Sequence, residues 1–109
     1  MSKQLITSAL AGAVLLGFAV AGPVQAADGA TLYVTKTCNA CHGKDAKSPI
    51  MPSYPKLAGQ NAAYALQQMK DIKSGARSNG QSAAMKGVMH LVSDDEMKAI
   101  ADWLATLQP

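Results

Sequence analysis

The sequence predicts an all-α domain of three to four helices, and three observations support that fold class. Apolar residues recur at three- and four-residue steps in two long segments, which is the period of an amphipathic helix. Residues typical of helix starts and helix ends flank these segments. No segment alternates apolar and polar residues as a half-buried strand does. We therefore expect helices packed on helices, without a sheet.

Two helices are predicted in the first two thirds of the chain. Asp28 is suited to cap a short helix that runs through Val34. A longer helix follows Asn61 and ends at Gly75, a residue type favoured just after a helix. The apolar face of this longer helix is predicted to contain Ala62, Ala65 or Leu66, Met69 and Ile72.

The last helix is the best marked of the predicted elements. Ser93 and Glu96 have the spacing of a capping box, in which each side chain bonds the backbone N–H of the other residue. Val92 and Met97 are placed to form the hydrophobic contact that often accompanies such a start. The buried face of this helix is predicted to contain Met97, Ile100, Leu104 and Leu107.

Two connecting segments are predicted to be loops. Residues 44–57 contain Pro49, Pro52 and Pro55, which forbid a long helix there. Residues 76–84 are polar and aperiodic, which predicts a surface loop leading to Met85 and Met89.

The N-terminal residues are expected to be an export signal. The chain has 109 residues, enough for one small domain. Residues 1–26 combine Lys3 with a short apolar run and small residues near Ala26, which is typical of a secretory signal peptide. Cleavage after Ala26 or Ala27 is expected to leave a domain at 27–109, with a retained N-terminal anchor as the alternative. We thus expect an exported periplasmic protein without a membrane span.

Cys38, Cys41 and His42 form a Cys-x-x-Cys-His motif, the pattern of covalent haem attachment. Two thiols at this spacing can reach the two vinyl groups of one porphyrin as thioethers, and the adjacent imidazole can then ligate the iron. A redox-active dithiol, a structural disulfide and half of a zinc site are the alternatives. The dithiol lacks a βαβ context, and a zinc site lacks its other ligands, since His90 is the one further histidine. One haem c with iron is therefore the predicted cofactor.

An iron-bound histidine usually donates its second ring N–H to a carbonyl or carboxylate. We expect that acceptor in the proline-rich loop, and Pro49 is the candidate for the carbonyl.

The second axial ligand is expected to be a methionine, because its sulfur raises the reduction potential relative to a second imidazole. Met69 and Met97 lie on predicted buried helix faces, and Met51 lies too near His42. Spacing leaves Met85 and Met89 open, with His90 a weaker candidate.

The chain resembles class I bacterial cytochromes c, in particular the c-four and c-five types. The resemblance covers about residues 28–107 and is carried by the haem motif, Pro49, residues 54–60 and the start of the last helix. It implies the small cytochrome c fold, with the helices packed around one covalently attached haem. It also implies Met85 rather than Met89 as axial ligand, the Pro49 carbonyl as partner of His42, and Tyr54 and Leu57 as lining of the haem crevice.

The expected function is one-electron transfer rather than enzymatic turnover. The resemblance implies a low-spin haem with His42 and Met85 as axial ligands, shuttling electrons between respiratory-chain donors and a terminal oxidase or reductase. Redox proteins with acidic docking surfaces are the expected partners, met by a basic rim of Lys44, Lys47, Lys56, Lys73 and Lys86. Residues 27–109 carry nine basic and seven acidic side chains, a balance too mild for nucleic acid. The alternatives are a haem enzyme or gas-binding protein with a labile sixth ligand, and a haem subunit of a membrane oxidoreductase.

Overall fold

A computed structural model describes residues 28–109, and these residues form five α-helices and no strand. The helices are α1 (Gly29–Thr35), α2 (Cys38–His42), α3 (Ala62–Ser74), α4 (Ser82–Met89) and α5 (Asp94–Thr106). The predicted all-α class is confirmed, with more helices than expected because α2 and α4 were not predicted. The predicted signal peptide lies outside the described residues. Within residues 28–109, no helix is both long and apolar enough to cross a membrane.

Helices α1 and α5 pack closely against each other and form one side of the core. The side chain of Asp28 accepts a hydrogen bond from Thr31 N at 2.8 Å, which confirms the predicted cap of α1. The rings of Tyr33 on α1 and Trp103 on α5 lie 5.1 Å apart between centroids. Gly29 faces α5 so closely that a Cβ atom there would overlap the carbonyl oxygen of Ala99. The absence of a side chain at Gly29 is thus what lets the two helices approach.

Helix α3 begins and ends as its sequence predicts. Asn61 Oδ1 accepts a hydrogen bond from Tyr64 N at 3.0 Å, and Gly75 follows the helix with a φ of 89°. Met69 and Ile72 are buried against α5, whose own buried side chains are Met97, Ile100, Ala101 and Leu104. Leu107, predicted to be buried, is half-buried beyond the end of α5.

Helix α4 replaces part of a predicted loop. Residues 76–84 were expected to be irregular, but the helix begins at Ser82 and carries both Met85 and Met89. Ala83, Ala84 and Met85 favour helix by intrinsic propensity, which outweighs the weak start at Gln81, whose side chain makes no capping bond. Met85 and Met89 therefore sit one turn apart on a helix instead of in a loop.

The turn at residues 90–92, between α4 and α5, is held by two lysines from other helices. Lys36, after α1, donates to the carbonyl of Leu91 at 2.9 Å and pairs with Glu96 at 3.3 Å. Lys73, near the end of α3, donates to the carbonyl of Val92 at 2.6 Å. Side chains from the ends of α1 and α3 therefore both hold the backbone of the 90–92 turn.

The start of α5 has the predicted capping box. Ser93 Oγ accepts from Glu96 N at 3.2 Å, and Glu96 Oε1 accepts from Ser93 N at 3.0 Å. Val92 and Met97 are both buried beside it. We expect Ser93→Ala to lower the free energy of unfolding by about 1 kcal/mol, the usual effect of losing such a cap. Urea denaturation checks this, with Ser78→Ala, at an exposed serine outside the helices, as the control; equal losses in the two variants would contradict it.

Candidate functional site

A cavity of about 400 Å³ brings the predicted haem-binding residues together. Cys38, Cys41 and His42 line it from α2, and Met85 and Met89 line it from α4. Leu57, Ile72 and Leu104 contribute apolar wall. Residues separated by more than 40 positions thus share one mostly apolar cleft.

The haem motif forms the short helix α2. Thr37 has a φ of 65°, a left-handed conformation that is uncommon for a β-branched residue. This residue interrupts the helical backbone between α1 and α2. After this interruption α2 runs in a direction that places both cysteines and His42 in the lining of the cleft. Both cysteines are half-buried and not bonded to each other. Burial raises the pKa of the Cys38 thiol above its usual range.

His42 is oriented by a backbone carbonyl. The ring is buried, and its Nδ1 lies 3.1 Å from the carbonyl oxygen of Pro55. Because a carbonyl oxygen can only accept, Nδ1 carries the hydrogen and Nε2 keeps its lone pair. Burial lowers the pKa of His42, and the Pro55 carbonyl opposes that shift only in part. The structure therefore presents a neutral imidazole with one nitrogen free to bind a metal.

The expectation that Pro49 supplies this carbonyl is wrong, because the acceptor is Pro55. Residues 45–50 fold back beneath α2, where Ile50 N donates to the carbonyl of Cys41 at 3.1 Å. The chain then returns at Leu57, whose N–H donates to the carbonyl of Ala46 at 2.8 Å, and this brings Pro55 to the ring. Pro49 does not line the cleft.

Tyr54 and Leu57 both line the cleft. The ring of Tyr54 lies 6.2 Å from that of His42 between centroids, tilted by 45°. Leu57 packs against the buried core. Together they enclose the His42 side of the cleft.

Three methionines face the cleft, and two methionine candidates do not. Met85 is half-buried in the lining, whereas Met89 is only 2% exposed. Met69 on α3 also contributes, which its assignment to the core did not anticipate. The candidates outside the lining are Met51, Met97 and His90.

Tyr33 also lines the cleft, although the sequence pattern did not single it out as a site residue. Its hydroxyl donates to the carbonyl of Gly43, directly after the haem motif, and the side chain is only 1% exposed. Burial, followed by the negative charges possible at Cys38 and Asp45, raises the pKa of Tyr33 to about 12. The signal available in the sequence was an aromatic residue on a predicted helix just before the motif.

The raised pKa of Tyr33 predicts a loss of stability at high pH. Between pH 10 and about 12 the folded protein keeps the phenolic proton that the unfolded chain has lost, so the free energy of unfolding falls as pH rises. The slope from this group is at most about 1.4 kcal/mol per pH unit, the value for one proton. Tyr33→Phe is expected to remove this slope while lowering stability at neutral pH. Denaturant unfolding from pH 8 to 11.5 tests it, and parallel curves for the two proteins would refute it.

The predicted basic rim is only partly free to meet a partner. Lys44 and Lys56 are exposed, and Lys56 borders the cleft. Lys73 Nζ donates a hydrogen bond to the carbonyl of Val92, so this ammonium group is not free to meet a partner. Lys47 Nζ lies 3.5 Å from the carbonyl of Gln108, and Lys86 is half-buried near Gly75.

These residues fit a covalently attached haem. Two unlinked thiols sit three positions apart on one short helix, and the neighbouring imidazole keeps a free nitrogen. Thioether sulfur from methionine is present in the same cleft. Within residues 28–109, no group of three or more His, Cys, Asp or Glu side chains is placed to hold a metal ion.

Comparisons with known proteins identify the family of this chain. The family described as Cytochrome c matches residues 26–108. A cytochrome c4 of Pseudomonas aeruginosa is 41% identical over 95% of this chain and 48% of its own length. A thiosulfate dehydrogenase electron acceptor of Stutzerimonas stutzeri is 40% identical over 77% of this chain and 39% of its own length. A cytochrome c-553 of Nitratidesulfovibrio vulgaris is 33% identical over 98% of this chain and its full length.

A solved structure supports the same assignment. The crystal structure of reduced recombinant cytochrome c4 from Pseudomonas stutzeri aligns with a TM-score of 0.64 at 28% identity, over 73% of this chain and 46% of that one. This chain spans about half the length of the cytochrome c4 relatives that it matches. The chain therefore belongs to the cytochrome c family, whose cofactor is a covalently attached haem c.

Proposed function

We propose that this chain is a periplasmic one-electron carrier, not an enzyme, with His42 and Met85 as the axial ligands of one haem c. The observation that carries the proposal is the neutral, buried His42, held at Nδ1 by Pro55 in a cleft that Met85 also lines. A histidine and a methionine that are both kept in the two oxidation states allow electron transfer with little rearrangement.

The chain's own residues hold and insulate the cofactor. Cys38 and Cys41 would tether it through two thioether bonds, which prevents its loss after export. The Pro55 carbonyl fixes the His42 ring and increases the basicity of its free nitrogen. The apolar wall excludes water, which favours the iron state of lower charge. Bound haem c supplies an iron that gains and loses a single electron.

The proposed partners are redox proteins that donate and accept single electrons, linking respiratory-chain donors to a terminal oxidase or reductase. One relative is named as the electron acceptor of a thiosulfate dehydrogenase, which supports a role of this kind. The exposed Lys44 and Lys56 would steer acidic partners toward the cleft, an effect that salt weakens.

The proposed location rests on the sequence of the first 26 residues, read as a signal peptide. Haem attachment and folding would then follow export, with the mature domain at 27–109. N-terminal sequencing of the protein recovered from the periplasmic fraction tests this, and an intact Met1 on the mature haem protein would contradict it.

The absorption spectra of the purified, matured protein, oxidised and reduced, test the proposed function. We expect low-spin spectra in both states, a weak sulfur-to-iron band at the long-wavelength edge of the oxidised spectrum, and no uptake of carbon monoxide at neutral pH. Rapid, reversible reduction by a small redox protein should accompany them. A high-spin spectrum with ready uptake of carbon monoxide would instead support a haem enzyme or gas-binding protein.

A further inference from the structure

The lining of the cleft includes polar residues other than those proposed to attach the haem and ligate its iron. Gln68 on α3 and Arg77, Asn79 and Gln81 in the segment before α4 all border the cavity. Arg77 is half-buried, whereas Lys56, the other cation in the lining, is exposed. One guanidinium therefore stands partly withdrawn from water beside an otherwise mostly apolar cleft.

Local hydrogen bonds hold Arg77 in this position. After Gly75 reverses the chain, the N–H of Arg77 donates to the carbonyl of Asp71 at 3.0 Å. Its Nη1 donates to Gln68 Oε1 at 3.2 Å. One amide oxygen uses only part of the five-donor guanidinium, so further N–H groups stay available.

No carboxylate neutralises Arg77 within residues 28–109. The ion pairs in this part of the chain join Lys36 to Glu96 and Lys98 to Asp102. The carboxylate of Asp71, the acid nearest in sequence, accepts instead from Gln67 Nε2 at 2.8 Å. A guanidinium that is partly desolvated without a counter-ion is costly, and a carboxylate is an anion that its planar fork can bind through two parallel hydrogen bonds.

We propose that Arg77, oriented by Gln68, binds a propionate carboxylate of the haem and so helps to set the reduction potential. This inference rests on the proposed function, because the propionates are the carboxylates that haem c would bring into the cleft. Arg77 is a positioning and electrostatic residue here, and it takes no part in ligating the iron. Its positive charge, held beside the cofactor, favours the reduced state, since reduction lowers the charge of the iron.

The test compares four variants of the matured haem protein. Arg77→Gln removes the charge, Arg77→Lys keeps it without the fork, and Lys56→Gln removes the other cation of the lining. Lys70→Gln removes an exposed cation that lies on α3 outside the lining. The measurements are the reduction potential between pH 5 and 9 and the resonance Raman bands of the propionate groups.

Arg77→Gln is expected to lower the reduction potential at neutral pH by more than Lys56→Gln or Lys70→Gln does. It should also move to higher pH the change in potential that accompanies titration of the propionate. Its propionate bands should shift, and Arg77→Lys should recover part of the potential. Equal shifts for Arg77→Gln and Lys70→Gln, or a larger shift for Lys56→Gln, would overturn the proposal.

The role of Arg77 and the proposed function can fail independently of each other. If Arg77→Gln does not mature, the propionate Raman bands of Arg77→Lys test the proposal instead. Replacing the guanidinium by an ammonium should shift these bands if Arg77 binds a propionate. Unchanged bands would contradict the proposal. Uptake of carbon monoxide by the wild type would refute the electron carrier, while the differences among the variants would still report on Arg77.

Discussion

Gly29→Ala is expected to destabilise the folded protein by about 3 kcal/mol, the upper end of the usual cost of overpacking. A Cβ at Gly29 would overlap the Ala99 carbonyl oxygen and the Trp103 Cβ, and it would lie 2.9 Å from the carbonyl carbon of Ala99. These are mostly backbone atoms of α5, which cannot move away because Ile100 and Leu104 anchor that helix in the core. Thermal or denaturant unfolding of the haem protein measures the loss.

A second glycine provides the matched control for this prediction. Gly87 lies within α4, and a Cβ there would meet no atom within 4 Å. Gly87→Ala should therefore stabilise the protein by roughly 0.5–1 kcal/mol, the advantage of alanine over glycine in a helix. A Gly29→Ala variant as stable as the wild type would show that α1 and α5 do not approach as closely as described.

Met85→Ala is the change expected to affect the site most. Without that sulfur the iron should lose its sixth ligand, so the oxidised protein becomes high-spin, the reduced protein takes up carbon monoxide, and the reduction potential falls. Absorption spectroscopy of the two states and a redox titration measure these changes.

Met89→Ala separates ligation from packing. Met89 is almost fully buried, so its truncation should destabilise the fold by about 2–5 kcal/mol, while the low-spin spectrum remains. If Met89→Ala loses the sulfur-to-iron band and Met85→Ala keeps it, the ligand is Met89 and the implication of the family resemblance fails at this position.

The sequence was sufficient where a helix is marked by its own residues. Asp28, Asn61 and Ser93 cap α1, α3 and α5 as predicted, because a cap is a local interaction between residues three apart. Helix α4 lacks such a cap and is only 8 residues long, so its start carried no comparable signal. Helix α2 has 5 residues and depends on the left-handed Thr37, which no residue pattern announces.

The site residues also differ in how well the sequence alone predicts them. Cys38, Cys41 and His42 are recognisable because their spacing is chemically specific. The partner of His42 depends on the path of the whole loop, and a count of prolines could not decide between the Pro49 and Pro55 carbonyls. Arg77 was also not anticipated, since its place beside the cleft follows from the reversal at Gly75 and the contact with Gln68.

The fixed 90–92 turn implies that α4 opens more easily at one end than at the other. At its C-terminal end, Leu91 N and Val92 N bond the carbonyls of Val88 and Met89, and lysines hold the next carbonyls. At its start, Gln81 makes no side-chain cap. Amide hydrogen exchange should thus be faster in the first turn of α4 than in the last. The proposed ligand Met85 lies nearer the end that opens more easily, whereas Met89 is held in the core.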